Sequence, residues 1–157
     1  MTNAVAIAQQ GSNNTTFRNR IINGAMVIDQ RNAGASLTPA NGTHTLDRWQ
    51  AAQYANASKF SVQQNAGSVT PPAGFVNYLG CTSSSAYTVG TNEVFVFYQY
   101  IEGYNSGDFS WGTANAKTVT LSFWARSSLT GTFGGSIQNS ANNRCYIFSY
   151  TISAANT

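Results

Sequence analysis

Short segments in which polar and apolar residues alternate constrain the fold of this chain more than any other feature. Four segments carry the signal: residues 59–63, 92–101, 118–125 and 144–153. Residues 144–153 read RCYIFSYTIS, with a large apolar side chain at every second position from Tyr146 to Ile152. A period of two predicts half-buried β-strands, whereas residues 92–101 (NEVFVFYQYI) are apolar on both faces and predict a central strand.

Turn-forming residues separate these segments. Gly, Pro, Asn and Ser cluster at residues 65–68, 71–74, 105–108 and 139–143, and we predict no helix longer than one or two turns. Short strands between turns indicate an all-β fold, an antiparallel β-sandwich of the jelly-roll type over residues 17–157. A jelly roll needs about eight strands, and the sequence supplies roughly six or seven. We therefore expect an incomplete C-terminal end: either the chain is part of a longer protein or a partner completes the sheet.

The first sixteen residues differ from the rest of the chain. Residues 1–16, MTNAVAIAQQGSNNTT, have no amphipathic period and end in a polar run. This pattern is typical of an extended N-terminal arm. Such an arm is either a frayed terminus or a segment that becomes ordered on a neighbouring subunit.

Charge is scarce in this chain. Only 8% of its residues are charged and its net charge is +3, whereas ordinary soluble domains are about 25% charged. Aromatic residues make up 13% of the chain, which excludes a disordered protein. The few cations are scattered, which argues against nucleic-acid binding. We find no signal peptide and no apolar run of membrane-spanning length, so we expect no membrane insertion, and a protein that stays in the cytosol or leaves the cell inside a larger assembly.

Residues able to support catalysis or bind metal are few. His44 is the single histidine, and we find no nucleophile elbow, phosphate-binding loop or metal-ligand cluster. Glu93 and Glu102 flank one predicted strand and lie about 30 Å apart if it is extended, too far for a glycosidase pair. Cys81 and Cys145 are either free thiols or, if the fold brings them together, a disulfide. We therefore expect no enzymatic activity, no cofactor and no metal.

The few charges concentrate where the sandwich begins. Residues 17–34, FRNRIINGAMVIDQRNAG, hold three of the six arginines, and an acidic residue stands close before two arginines of the first fifty residues. Carboxylate–guanidinium pairs are strong and directional when partly buried. We predict structural clamps that hold the arm-to-domain junction or dock it onto a neighbour; the alternative is solvated surface arginines. The candidates are Arg18, Arg20, Asp29, Arg31, Asp47, Arg48 and Trp49.

Two blocks of the sequence form recognisable motifs. The first follows N-x-[IL]-[IL]-N-G-x-x-x-[IV]-x-Q-R and then [AL]-D-R-W, and it matches at Asn19, Ile21, Ile22, Asn23, Gly24, Ile28, Gln30, Arg31, Leu46, Asp47, Arg48 and Trp49. The second follows Q-x-I-E and then [VL]-T-[LF]-S-F-W-[AV]-[RK], and it matches at residues 99–102 and 119–126. Together they resemble a family of bacteriophage tail fibre, head fibre or structural proteins of the virion. The second pattern is also similar to carbohydrate-binding-module-like jelly rolls.

The resemblance covers residues 17–157. It implies a jelly-roll fold, a virion location after assembly in the host cytoplasm, and no catalysis. We expect a tail fibre or appendage component, anchored by its N-terminal arm, that contacts other virion proteins and copies of itself as a trimer and takes part in host attachment. A capsid decoration or head-fibre protein and a host-glycan-binding module are the alternatives. This chain departs from the pattern at Ala25, where relatives usually carry Asp, and it lacks their further strands.

Binding of a host-surface glycan requires aromatic faces for stacking and polar side chains for the hydroxyl groups. The stacking candidates are Tyr87, Tyr104, Trp111 and Trp124, with Asn105 and Asp108 nearby in the sequence. The alternative is that these aromatic residues pack in the core or between subunits.

Overall fold

The structure is a computed structural model whose described residues are 18–54 and 58–157, so the expected arm at residues 1–16 lies outside them. The strands are β1 (Thr43–His44), β2 (Gln50–Tyr54), β3 (Phe60–Gln64), β4 (Leu79–Ser83), β5 (Val94–Tyr98), β6 (Gly131–Gln138) and β7 (Cys145–Ile152). The helical elements are the single-turn α1 (Gly103–Ser106) and the 3₁₀ turns Ala66–Ser68 and Gly107–Phe109. Every strand pairing is antiparallel. The predicted all-β class is therefore confirmed.

The chain divides into two compact units, Met1–Thr118 and Val119–Thr157. The first unit contains a three-stranded sheet, in the order β1-β2-β5, and the two-stranded sheet β3-β4. The second contains the two-stranded sheet β6-β7.

A small aromatic and aliphatic core joins the two sheets of the first unit. Ala51 on β2 and both Phe60 and Val62 on β3 are buried, as the alternation of β3 requires. The ring of Phe60 meets Phe95 and Phe97 of β5 edge to face, with centroids 6.4 and 5.3 Å apart. Edge-to-face pairs add to the stabilisation that burial itself provides. β5 therefore packs against β3 through Phe95 and Phe97, and the side chains that alternate with them along β5 face outward.

The second unit is a hairpin without a buried core. β6 and β7 pair over eight positions, from Gly131 opposite Ile152 to Gln138 opposite Cys145. None of residues 119–157 is buried. Phe148 lies over Gly135, where a Cβ atom would come within 2.4 Å of the ring, so this position needs glycine. This unit therefore lacks a core of its own, and a lone two-stranded hairpin is at best marginally stable in water.

Three of the four predicted strands correspond to β3, β5 and β7, but the prediction of a strand at residues 118–125 is wrong. Those residues lie outside any strand and are all exposed. Their backbone groups make no backbone hydrogen bond in the described part of the chain. Alternation shows that a segment can form a strand, but a strand also needs a neighbour for its ladder. Trp124, a predicted glycan-stacking residue, lies in this segment and is 74% exposed.

Both cysteines are free and exposed. Neighbouring atoms partly desolvate the Cys81 thiol and raise its pKa to about 11. The reactive thiolate of Cys81 is therefore scarce at neutral pH. No described helix has the length and apolar character to cross a membrane.

Candidate functional site

The Asn-Gly turn of the first motif is the centre of a polar network. Asn23 has a left-handed backbone, with φ of 54°, which Asn adopts more readily than most residues. Its side-chain amide accepts a hydrogen bond from the backbone N–H of Ile28 (3.0 Å) and donates to the carbonyls of Ile28 (2.8 Å) and Asp47 (2.9 Å). The indole N–H of Trp49 donates to the carbonyl of Asn23 at 3.1 Å. One side chain thus closes its own loop and ties it to the D-R-W motif.

Asp29 and Asp47 accept hydrogen bonds from backbone N–H groups and do not pair with the arginines that follow them in the sequence. Asp29 accepts hydrogen bonds from the backbone N–H groups of Asn32 (3.1 Å) and Gly34 (2.8 Å). Asp47 accepts one from the backbone N–H of Gln30 at 2.7 Å. The sequence interpretation, which grouped each carboxylate with the arginine that follows it, was wrong about partners. Short polar side chains bond readily to nearby backbone groups, and this local chemistry prevails here.

Arg20 reaches across the first unit to the turn after α1. Its guanidinium pairs with Asp108 at 2.5 Å and donates to the carbonyl of Asn105 at 2.5 Å. It also lies 4.9 Å from the centre of the Phe109 ring. The Arg20 side chain is only 12% exposed. This contact is the first structural clamp between the start of the described chain and the region after β5.

Arg48 forms the second clamp, to the residues just beyond β5. Its guanidinium pairs with Glu102 and donates to the carbonyl of Tyr100 at 3.2 Å. The backbone of Arg48 is left-handed, with φ of 75°, which is unusual for a long side chain. Such strain persists only where the surroundings fix the residue. Both arginines keep a buried Nε that has no hydrogen-bond partner among residues 18–54 and 58–157.

The clamps shift the acidity of their carboxyl groups. The hydrogen bond from Arg48 holds the pKa of Glu102 below its ordinary value. Desolvation acts to raise the pKa of Asp108, but the hydrogen bond and charge of Arg20 outweigh it, and the net shift is downward. Both carboxylates are therefore ionised throughout the neutral range.

The other clamp candidates have different surroundings. Arg18 and Arg31 are exposed, and neither forms an ion pair with a described residue. For Arg18 the alternative interpretation, a solvated surface arginine, fits its exposure. Arg31 instead lies at the rim of a surface cavity.

This cavity has a volume of about 280 Å³ and lies where the motif residues converge. It is lined by Arg31, His44, Asp47, Arg48, Gln50, Tyr100 and Glu102. The His44 ring lies 2.9 Å from the amide nitrogen of Gln50, whose oxygen accepts a hydrogen bond from the Tyr98 hydroxyl at 2.7 Å. Tyr100 is 65% exposed. The cavity offers hydrogen-bond donors and acceptors beside one exposed aromatic ring.

The four predicted stacking residues do not line this cavity. Lys59 lies 3.9 Å from the centre of the Tyr87 ring, and the Tyr87 hydroxyl donates to Glu93 at 2.6 Å. The Trp111 indole donates to the carbonyl of Lys117 at 2.9 Å. Tyr104 is 94% exposed, and Trp124 belongs to the second unit. Four cavity residues were not among the predicted site residues: His44, Gln50, Tyr100 and Glu102. The signal for Tyr100 and Glu102 was their place inside the Q-x-I-E block.

The described parts of the chain hold no group of three or more His, Cys, Asp or Glu side chains placed to bind a metal ion. Comparison with known proteins adds no family. No family model matches the chain, and neither a curated protein nor a solved structure matches it.

Proposed function

We propose that this chain is a non-enzymatic structural protein of a bacteriophage virion, a tail fibre or appendage component that assembles with copies of itself and takes part in host attachment. The observation that carries the assembly part is the exposure of large apolar side chains in a unit without a buried residue. The most exposed of these in residues 119–157 are Trp124, Leu129, Tyr146 and Ile147, at 70–77%. Exposed apolar surface of this kind marks an interaction site where the side chains are contiguous, and it supports a role in assembly.

The virion location rests on the motif resemblance, and the packing of the motifs supports it. Asn23, Asp47 and Trp49 of the first block bond to one another. Arg48 of the first block pairs with Glu102 of the second. The first block and the Q-x-I-E part of the second thus form one connected network, as expected if they belong to the signature of one fold. Under this proposal the three small sheets are parts of a jelly-roll sandwich that is completed on assembly.

The direct test is electron microscopy of intact particles, labelled with gold-tagged antibody against residues 40–157. Label at tail or fibre ends is the expected result. Label spread over the shell would favour the capsid decoration or head-fibre alternative. Absence of label from every purified particle would contradict the virion proposal altogether.

A second candidate function is recognition of a host glycan, and the cavity is the observation that favours it. Its volume lies just below the range of about 300–1,000 Å³ typical of ligand pockets, which suits one sugar unit. Arg31, Asp47 and Tyr100 offer a donor, an acceptor and an exposed ring. Host-envelope binding by the isolated chain should fall in Arg31→Gln and Tyr100→Ala and persist in the matched variants Arg144→Gln and Tyr104→Ala. Equal binding by all four variants would exclude the cavity.

A further inference from the structure

β5 has a free edge. It is the last strand in the order β1-β2-β5, so one side of its backbone faces no other strand among the described residues. Its outward side chains Val94 and Val96 are 44% and 36% exposed, while Phe95 and Phe97 face the core. An exposed apolar edge of this kind is a place where another strand adds.

A second segment of the chain has a strand-like sequence but no strand partner in the part of the chain that the structure describes. The backbone of residues 118–126 makes no backbone hydrogen bond within the described ranges. Val119, Leu121 and Phe123 alternate with polar residues and are 38%, 44% and 50% exposed. The segment has the composition of a β-strand but no ladder to join.

Charges frame the edge and the segment at the same spacing. Glu93 and Glu102 enclose eight residues around β5, and Lys117 and Arg126 enclose eight residues of the segment. In an antiparallel pairing that sets Glu93 opposite Arg126, Glu102 falls opposite Lys117. Opposite charges facing each other across a ladder stabilise it, and like charges destabilise it.

The same register aligns the apolar side chains. Directly opposite residues point to the same face of a sheet. The cross-strand pairs would be Val94 with Ala125, Val96 with Phe123, Tyr98 with Leu121, and Tyr100 with Val119. The charges therefore select one register, because a shift by one residue would misalign both oppositely charged pairs, and the apolar pairs are compatible with that register.

We propose that residues 117–126 of one copy add as an antiparallel strand to the free edge of β5 in a second copy. Every copy of an oligomer supplies both an edge and a segment. Because each copy donates and accepts, the contacts form a closed oligomer where the rotation between copies closes and an open filament where it does not. This inference rests on the proposed function, which states that copies of the chain assemble, and it names the contact through which they do so.

Both carboxylates already have partners in their own chain, and these fix their positions at the two ends of the edge. Glu93 accepts hydrogen bonds from the Tyr87 hydroxyl and from the backbone N–H of Gly90. Glu102 accepts one from Arg48 and one from the side-chain amide of Asn105. A carboxylate has about four acceptor positions, so an incoming cation adds to these contacts and does not need to displace them.

Proline substitution separates assembly from folding. Since residues 118–126 make no backbone hydrogen bond, Thr120→Pro and Leu121→Pro remove none from the single chain. Successive N–H groups of a strand point to opposite edges, so one of the two variants must remove a ladder donor. We expect that variant to associate at least about tenfold more weakly in sedimentation and native mass measurements on the full chain. Ala114→Pro is the matched control, since its N–H is also unbonded and it lies before the segment.

Charge exchange tests the register. Arg126→Glu and Glu93→Lys should each weaken association, and the two together in one chain should restore it. Glu93→Lys combined with Lys117→Glu should not restore it. Rescue by this last combination would mean a parallel strand and would overturn the proposed register.

Other outcomes also decide the matter. A wild-type chain that stays monomeric at about 100 µM would overturn the contact. So would an oligomer that neither proline variant weakens, because its interface would lie elsewhere. Gold label on particles together with a monomeric isolated chain would remove this contact and leave the proposed function intact; an oligomer with unlabelled particles would do the reverse.

Discussion

Phe60 and Phe148 occupy comparable positions in the two units of the chain, each on a strand and each facing other aromatic rings. Phe60 is 6% exposed and lies between two sheets of the first unit. Phe148 is half-buried and meets Phe123 at 6.2 Å in a unit where no residue is buried. The two rings differ in exposure because the first unit has two sheets to enclose a core, whereas the second has one hairpin.

The scarce charges follow the same division. The described chain contains two ion pairs, Arg20–Asp108 and Arg48–Glu102, and both lie in the first unit. Arg126 and Arg144 of the second unit are exposed and belong to neither pair. The first unit is therefore held by internal contacts, while the second displays apolar and charged groups that suit an external partner.

The largest expected effect comes from the core of the first unit. Phe60→Ala should lower the free energy of unfolding by about 3–5 kcal/mol, because it removes a buried ring and leaves a cavity. Phe148→Ala should cost about 1 kcal/mol, since a half-exposed ring loses less burial. Urea unfolding monitored by circular dichroism measures both. Equal losses would remove the contrast between the units.

The Asn23 network should give the next largest effect. Asn23→Ala should cost about 2 kcal/mol, because it removes three hydrogen bonds and replaces Asn with a residue that adopts a positive φ less readily. Asn23→Gly also loses the three hydrogen bonds, but glycine adopts a positive φ without strain, so this variant should cost less than Asn23→Ala. If the glycine variant is the less stable of the two, the left-handed backbone is not what selects Asn here.

Removal of the Arg20 clamp should have a smaller effect. Arg20→Ala should cost about 1–2 kcal/mol through the lost bond to the Asn105 carbonyl and the lost contact with the Phe109 ring. Arg18→Ala, the matched control at an exposed arginine, should be close to neutral. Chemical denaturation of the two variants side by side provides the measurement. A loss at Arg18 as large as at Arg20 would show that position in the sequence, and not the clamp, decides the effect.

The smallest effect is a dependence on pH. The folded pKa values of Glu102 and Asp108 lie below their ordinary values. Their contribution to stability is therefore complete above the unfolded pKa, near pH 4, and is lost as the pH falls through the lower folded pKa. Carboxyl ¹³C shifts should show Glu102 titrating closer to its ordinary value in Arg48→Gln. An unchanged titration would mean that Arg48 does not hold this carboxylate.

Local alternation was sufficient to predict β3, β5 and β7, because their side-chain period appears directly in the sequence. It failed for residues 118–125, since a strand depends on a neighbour that a one-dimensional pattern does not reveal. β6 was missed because its sequence, GTFGGSIQ, is rich in glycine and lacks a strong period. Glycine stands at position 135 because the ring of Phe148, on the paired strand, lies over it.

The partners of the candidate clamp arginines could not be predicted from the sequence. Arg20 and Arg48 were chosen because arginines are rare, yet their partners lie 88 and 54 residues away. Proximity in sequence pointed instead to Asp29 and Asp47, which bond to backbone groups. A single sequence records which residues are able to pair, and only the fold determines which of them meet.

Amide hydrogen exchange of the full chain, followed as a function of protein concentration, tests the contrast between the two units most directly. Residues 60–64 should exchange slowly at every concentration, because their ladder and core are internal. Residues 119–126 should exchange rapidly in dilute solution and become protected as copies associate. Protection of residues 119–126 that is unchanged by dilution would contradict the account, and so would rapid exchange in the fully associated protein.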